Sequence, residues 1–265
     1  MEIGQGTRAL VTGASRGIGR ALAEALAARG TTVGLAARST DELDALAAAL
    51  PGTHHVLTCD VTDPGSVASA VDGFIAAAGG LDLLVANAGV AIYGPFRAMD
   101  LADVERMTRV NWLGTAYAVH AALPHLLDRA EGHIVILSSG AGHRSFPWAA
   151  VYGATKAAQR MFGEALRHEL SGTGVSLTLV YPGEIATALG DHERDLLPDW
   201  HRGDTRSADA GELAERVIAG VEADERAVYF PAAVRALGVL HGVSPALSDR
   251  VLRSLRGGTA APRVD

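Results

Sequence analysis

The chain has almost no cysteine, almost no lysine and no long hydrophobic run. Cys59 is the one cysteine among 265 residues, so no disulfide closes within the chain. A reducing, cytoplasmic location is the expectation. The opening residues, MEIGQGTRALVTG, show no charged-then-apolar signal pattern. No apolar stretch approaches the roughly 18 residues of a transmembrane span. Cationic runs are missing as well. With a formal net charge of −7 and a pI near 5.8, the chain is not suited to nucleic acid as its main partner. His143, His192 and His201 lack metal-ligand spacing, so no metal site is expected.

The lysine count is the most informative scarcity. The chain uses 22 arginines and a single lysine, Lys156. Lysine is a compact cation whose pKa responds to its surroundings, and arginine is not. A general need for positive charge is therefore met elsewhere, and Lys156 stands apart.

What the chain does contain is enough to build a core. Hydrophobic residues make up 48% of it, with 31 glycines and 10 prolines, which excludes a disordered or repeat composition. Short β-type runs alternate with alanine-rich helical stretches. Strands are expected at Arg8–Thr12, Thr32–Ala37, His54–Thr58, Leu81–Ala86, His133–Ser138 and Val175–Tyr181. Helices are expected at Ile18–Arg29, Asp41–Leu50, Pro64–Ala78, Leu101–Asp128 and Val151–Leu170. Asp63 before Pro64 reads as a helix N-cap, and Asp41 as a cap on the second helix. Such alternation predicts an α/β fold: a doubly wound parallel sheet of Rossmann type in three α/β/α layers. No composition break divides residues 1–265, so one domain is expected. It carries a polar loop at about 186–208, a helix at Asp209–Val221 and a short strand at Ala227–Phe230. A helical tail at about 232–256, broken near Pro245, completes it.

The first strand runs into TGASRGIG, Thr12 to Gly19, and a helix follows. Gly13, Gly17 and Gly19 allow a tight turn and close approach to a pyrophosphate, which the free N–H groups of the helix N-terminus would hold. The context of strand, glycine turn and helix favours a dinucleotide site over an ordinary connection. The spacing T-G-x-x-x-G-x-G resembles the short-chain dehydrogenase/reductase family, in its classical branch. The resemblance covers roughly residues 7–190 and implies a nicotinamide cofactor. Cofactor contacts are then expected from Gly13, Ser15, Arg16, Gly17, Ile18 and Gly19.

An NAD enzyme needs an acid near the end of its second strand for the ribose 2′-hydroxyl, and an NADP enzyme needs cations for the 2′-phosphate. TTVGLAARS, residues 31–39, has no acid and ends in Arg38 and Ser39. Arg16 in the glycine turn is within reach of the same phosphate, so NADP(H) is expected over NAD(H). The resemblance places Asp60 and Val61 against the adenine. It places Asn87 and Gly89 of ANAG at the end of the fourth strand, with Asn87 steadying the sheet. It assigns the nicotinamide carboxamide to Pro182, Gly183, Ile185 and Thr187 of PGEIAT.

Tyr152 and Lys156, in YGATK, lie one helical turn apart on one face. A free phenol titrates near 10, and a neighbouring ammonium favours the phenolate. Ser139 ends the fifth strand, where ligands of open α/β sheets bind, and would donate to a substrate oxygen. Ser138 is its local competitor, and the family spacing to the tyrosine favours Ser139. Asn111 in VNWLG matches the family's fourth catalytic member, which helps hold a water and the lysine in a proton relay. Tyr152 and Lys156 also belong to the cofactor site by this resemblance.

Ile92, Phe96, Phe146, Trp148, Leu189, Leu196 and Trp200 are the candidate pocket lining. They imply an apolar ketone, aldehyde or alcohol as the substrate partner. The family commonly forms homodimers or homotetramers, but the V-D-G-G-like end of its tetramer contact is replaced here by AVYFPAAVRALGVL. Two other readings stay open: a non-catalytic NADP-binding regulator, and an epimerase or dehydratase with bound cofactor.

Overall fold

The structure, a computed structural model, describes residues 1–186 and 207–255. The elements up to the third strand are β1 (Arg8–Thr12), α1 (Gly17–Ala27), β2 (Thr32–Ala37), α2 (Thr40–Ala49) and β3 (His54–Thr58). There follow α3 (Pro64–Ala78), β4 (Leu83–Ala86), α4 (Leu101–Met107), α5 (Gly114–Arg129) and β5 (Gly132–Leu137). Then come α6 (Ala150–Glu169), β6 (Val175–Pro182), α7 (Ala210–Glu222), β7 (Ala227–Phe230), α8 (Ala233–Val243) and α9 (Pro245–Leu255).

All seven strands join one parallel sheet in the order β3-β2-β1-β4-β5-β6-β7. Alternate residues of each strand face opposite layers. In β1, Ala9 and Val11 pack beneath α1 and α7 with Leu22, Leu26, Leu213 and Val217. Leu10 points the other way, to the layer of α3, α5 and α6 with Phe74, Leu126 and Leu166. Both faces are covered, which is why the central strands are continuous apolar runs.

Local signals explain most boundaries. Asp63 caps α3 by accepting a bond from Gly65 N, and Pro64 opens the helix. The α2 cap differs from expectation. Ser39 is the N-cap and Asp41 lies inside the first turn, where its charge meets the positive end of the helix dipole. The stretch from Leu101 is not one regular helix. A π turn at Thr108–Leu113 separates α4 from α5, with Gly114 N bonded to Arg109 O. Pro245 divides the tail into α8 and α9, as its missing N–H requires.

The strand order changes direction between β1 and β4. Connections leave that point on opposite faces, and a cleft opens beyond the carboxyl ends of the strands.

Candidate active site

The cleft at this switch point holds about 740 Å³. The glycine turn forms its floor. Gly13 adopts φ +68°, a left-handed conformation that a side chain would strain. Gly19 is needed for proximity: a Cβ there would lie 2.2 Å from Gly13 O and 2.4 Å from Asn87 Nδ2. Ser15, Arg16, Gly17 and Ile18 complete this wall. Asn87 also lines the cleft and ties the end of β4 to the end of β1, donating from Nδ2 to Thr12 O at 2.9 Å and to Gly13 O at 3.2 Å.

At one end stand Arg38, Asp60 and Val61. Arg16 and Arg38 are exposed, and neither forms an ion pair among the described residues. Asp60 spends one oxygen on its own turn, accepting from Thr62 N at 2.9 Å and Thr62 Oγ1 at 2.8 Å. Those hydrogen bonds, against the cost of burial and with help from Arg38, hold its carboxyl below the usual range. Glu42, which sequence reasoning missed, lines the same end. It lies one turn beyond Arg38 on α2, and only the folded helix brings it in.

At the other end the cleft is lined by Gly89, Ser139, Tyr152, Lys156, Pro182, Gly183 and Ile185. Lys156 is buried and donates from Nζ to Leu137 O at 2.8 Å. Desolvation pulls its pKa down to about 7. Nζ stands 5.8 Å from the centre of the Tyr152 ring. Both serines line the cleft, and their hydroxyls differ in commitment. Ser138 is buried and its hydroxyl is committed to Lys156 O at 2.8 Å. Ser139 is half-buried at the cleft, accepting from Ala141 N at 3.1 Å and facing Pro182 O at 3.5 Å. Asn111 does not line the cleft. It lies fully buried behind it, on the π turn, bonded to Val90 and Thr155. Thr187 lies outside the described residues, as do Leu189, Leu196 and Trp200.

The expected apolar lining needs correction. Phe96 sits 62% exposed in a short 3-10 turn and does not reach the cleft. Ile92, Phe146 and Trp148 are not part of its lining among the described residues. Tyr93 takes that place, its ring edge-on to Tyr152 at 5.7 Å and packed on Phe146 at 5.6 Å. Sequence reasoning named both chain neighbourhoods but could not tell which aromatic of the loop after β4 turns inward. Arg106 and Val110, one turn apart across the α4 end, also face the cleft and went unnoticed. Among the described residues no three His, Cys, Asp or Glu side chains gather to hold a metal ion. No helix of the described residues is long and apolar enough to cross a membrane.

A doubly wound sheet with a glycine turn at its switch point is the architecture of a dinucleotide-binding protein. The family profile described as short chain dehydrogenase matches residues 7–196. The chain belongs to that family of oxidoreductases, which bind a nicotinamide cofactor. It is similar to an uncharacterized oxidoreductase of Myxococcus xanthus, 41% identical over 184 residues, 68% of this chain and 73% of that one. It is similar to dehydrogenase/reductase SDR family member 7B of Mus musculus, 32% identical over 260 residues, 92% of this chain and 80% of that one. Among solved structures, a short chain dehydrogenase/reductase from Burkholderia phymatum in complex with NAD superposes with a TM-score of 0.84. It is 28% identical, over 93% of this chain and 96% of that one. An alcohol dehydrogenase from Thermococcus sibiricus complexed with 5-hydroxy-NADP superposes at 0.72 and 28% identity, over 84% of this chain and 94% of that one.

The residues present fit such a cofactor. A glycine turn on a helix N-terminus, two arginines with no ion pair among the described residues and a buried lysine share one cleft.

Proposed function

We propose that the protein is an NADP(H)-dependent oxidoreductase interconverting an apolar carbonyl compound and its alcohol. The observation that carries this reading is the convergence of Ser139, Tyr152 and Lys156 on the cleft that the glycine turn opens. When bound, a nicotinamide dinucleotide would supply or accept the hydride. The chain handles the oxygen and its proton. Ser139 donates a hydrogen bond to the substrate oxygen. Tyr152 gives that oxygen a proton in reduction and removes it in oxidation. Lys156, one turn on, contributes the charge that favours the Tyr152 phenolate and binds the nicotinamide ribose. The glycine turn and the α1 N-terminus would hold the pyrophosphate, Asp60 and Val61 would contact the adenine, and Pro182, Gly183, Ile185 and Thr187 would hold the carboxamide.

Arg16 and Arg38 support the NADP preference, because two guanidiniums with no ion pair among the described residues suit a 2′-phosphate at the adenosine end. The competing NAD reading draws on Glu42 at that end and on the NAD held by the Burkholderia phymatum structure. Fluorescence titration with NADPH and NADH decides between them. NADPH is expected to bind more tightly, and Arg38→Asp to weaken it by about tenfold to a hundredfold, the worth of one or two charge-assisted bonds. Equal or tighter NADH binding in the wild type removes the NADP assignment.

A further inference from the structure

Gln159 lies on α6, one turn past Thr155 and three residues past Lys156. It is fully buried. Its Nε2 donates to Asn111 O at 2.8 Å and to Thr115 Oγ1 at 2.6 Å. Thr115 Oγ1 itself donates to Asn111 O at 2.8 Å. The backbone carbonyl of Asn111 thus receives two side-chain donors, in a π turn where the helix bonds have shifted register. The amide orientation follows from chemistry, since Asn111 O can only accept. One turn earlier, Thr155 Oγ1 accepts from Asn111 Nδ2 at 3.0 Å and donates to Tyr152 O at 2.8 Å. Asn111 then joins Val90 in both directions, accepting at Oδ1 from Val90 N at 2.7 Å and donating to Val90 O at 2.8 Å. Two successive turns of α6 therefore grip the backbone and the side chain of one residue. That residue fixes the loop that carries Gly89 and Val90 along the cleft.

Gly89 connects this clamp to Lys156. A Cβ built there would stand 3.4 Å from Asn111 Oδ1 and 3.6 Å from Lys156 Nζ, so the two groups flank one glycine.

Stability does not explain Gln159. Its Oε1 is buried with no partner among the described residues. An unmet buried acceptor costs on the order of a hydrogen bond or more. An apolar side chain of equal length would avoid that cost. It would orphan nothing either, because Asn111 O keeps the Thr115 hydroxyl and that hydroxyl keeps its donated bond.

We propose that Gln159 is a positioning residue: it clamps Asn111 to α6 and thereby sets the polar surroundings of Lys156. The proposal rests on the reading of Tyr152 and Lys156 as the reacting pair only for its catalytic consequence. Its physical content is the placement of Asn111 Oδ1 across Gly89 from the ammonium. Removing one of the two donors on Asn111 O loosens the backbone that carries this side chain, lets the partly negative oxygen shift within its bonds to Val90 and Thr155, and favours the neutral amine.

The single lysine makes the test direct. The full-length, cofactor-free protein labelled with 13C at lysine Cε gives one side-chain resonance, that of Lys156. Its titration midpoint is compared in wild type and Gln159→Met, alongside thermal melting. The midpoint is expected to fall by about half a pH unit or more while the melting temperature stays within about 4 °C, the equivalent of ~1 kcal/mol at this chain length. An unmoved midpoint overturns the proposal. So does a variant too unstable to titrate, which would make Gln159 a structural residue only. Tyr152→Phe, assayed with NADPH and a panel of aryl and alkyl ketones, separates the two ideas. Full activity there defeats the catalytic reading and leaves the lysine titration standing.

Discussion

Lys156 is the residue whose environment says most. It is the one lysine in a chain with 22 arginines, and it is buried, with Leu137 O as its hydrogen-bond partner among the described residues. An arginine would stay charged there; an ammonium whose pKa falls to about 7 can gain and lose its proton near neutrality. Tyr152, on the same helix face, lies between this group and Tyr93. Replacing Tyr152 with phenylalanine keeps the ring packing and deletes the hydroxyl. Turnover of any ketone the wild type reduces is expected to fall by about a hundredfold to ten-thousandfold, the usual worth of general acid–base catalysis. The NADPH dissociation constant is expected to change little. Steady-state rates and a fluorescence titration on the same variant check both halves.

The elements matter through their ends. Strand β1 delivers its chain into the glycine turn, and α1 begins at Gly17. The turn works only because α1 approaches the end of β1 and Asn87 without an intervening Cβ. Gly19→Ala is therefore expected to push α1 outward. A backbone oxygen at 2.2 Å from the new Cβ cannot rotate away as a side chain can. The expected cost is about 1–3 kcal/mol in urea unfolding, as for other overpacked sites, with NADPH affinity reduced more than tenfold. A variant with native midpoint and native affinity would show that the contact is softer than its geometry. The π turn at Thr108–Leu113 is the second decisive element. It rotates the helix so that Asn111 faces α6 and the loop after β4 while Val110 faces the cleft.

Across the whole molecule, the two apolar layers are tied together by strand pairing and by a few buried polar groups. His133 on β5 is one of them. It is buried and meets Thr178 Oγ1 on β6 at 2.8 Å, and that hydroxyl donates to Glu225 O at 2.6 Å. Burial drives the imidazole pKa down from 6.5 to about 4. The unfolded chain therefore binds a proton below pH 6.5 that the folded one refuses. Stability from this group is complete above that value and is lost as pH falls toward 4. Gln in place of His133 keeps an N–H donor for Thr178 but does not titrate. Between pH 7 and 4 the wild type is expected to lose about 3 kcal/mol relative to His133→Gln, from the size of the shift. Denaturant melts of both proteins across that range give the difference directly, and parallel pH curves would exclude His133 as the source.

Much of this protein was readable before its fold was known. The alternation of buried strands and alanine-rich helices determined a parallel sheet, because only crossovers link parallel neighbours. The glycine turn, the YGATK pair and the serine at the end of β5 are local patterns whose physics is carried by adjacent residues. The β4 and β5 boundaries shifted by one or two residues: β4 begins at Leu83, although the Asp82 backbone already bonds Arg8 O and His133 N, and β5 runs Gly132–Leu137. What needed the tertiary structure were relations between distant segments. Which of Ser138 and Ser139 has its hydroxyl committed to the fold depends on Lys156 O, 18 residues from Ser138. Tyr93 rather than Phe96 lines the site because the loop after β4 folds back on Phe146. Glu42 and Arg106 reach the cleft only when helices from opposite faces of the sheet converge on its switch point. Gln159 reads as one more polar residue on a helix until the π turn brings the Asn111 carbonyl against it. Periodicity determines which way a residue points along its own element. Only the packing of elements decides what it meets there.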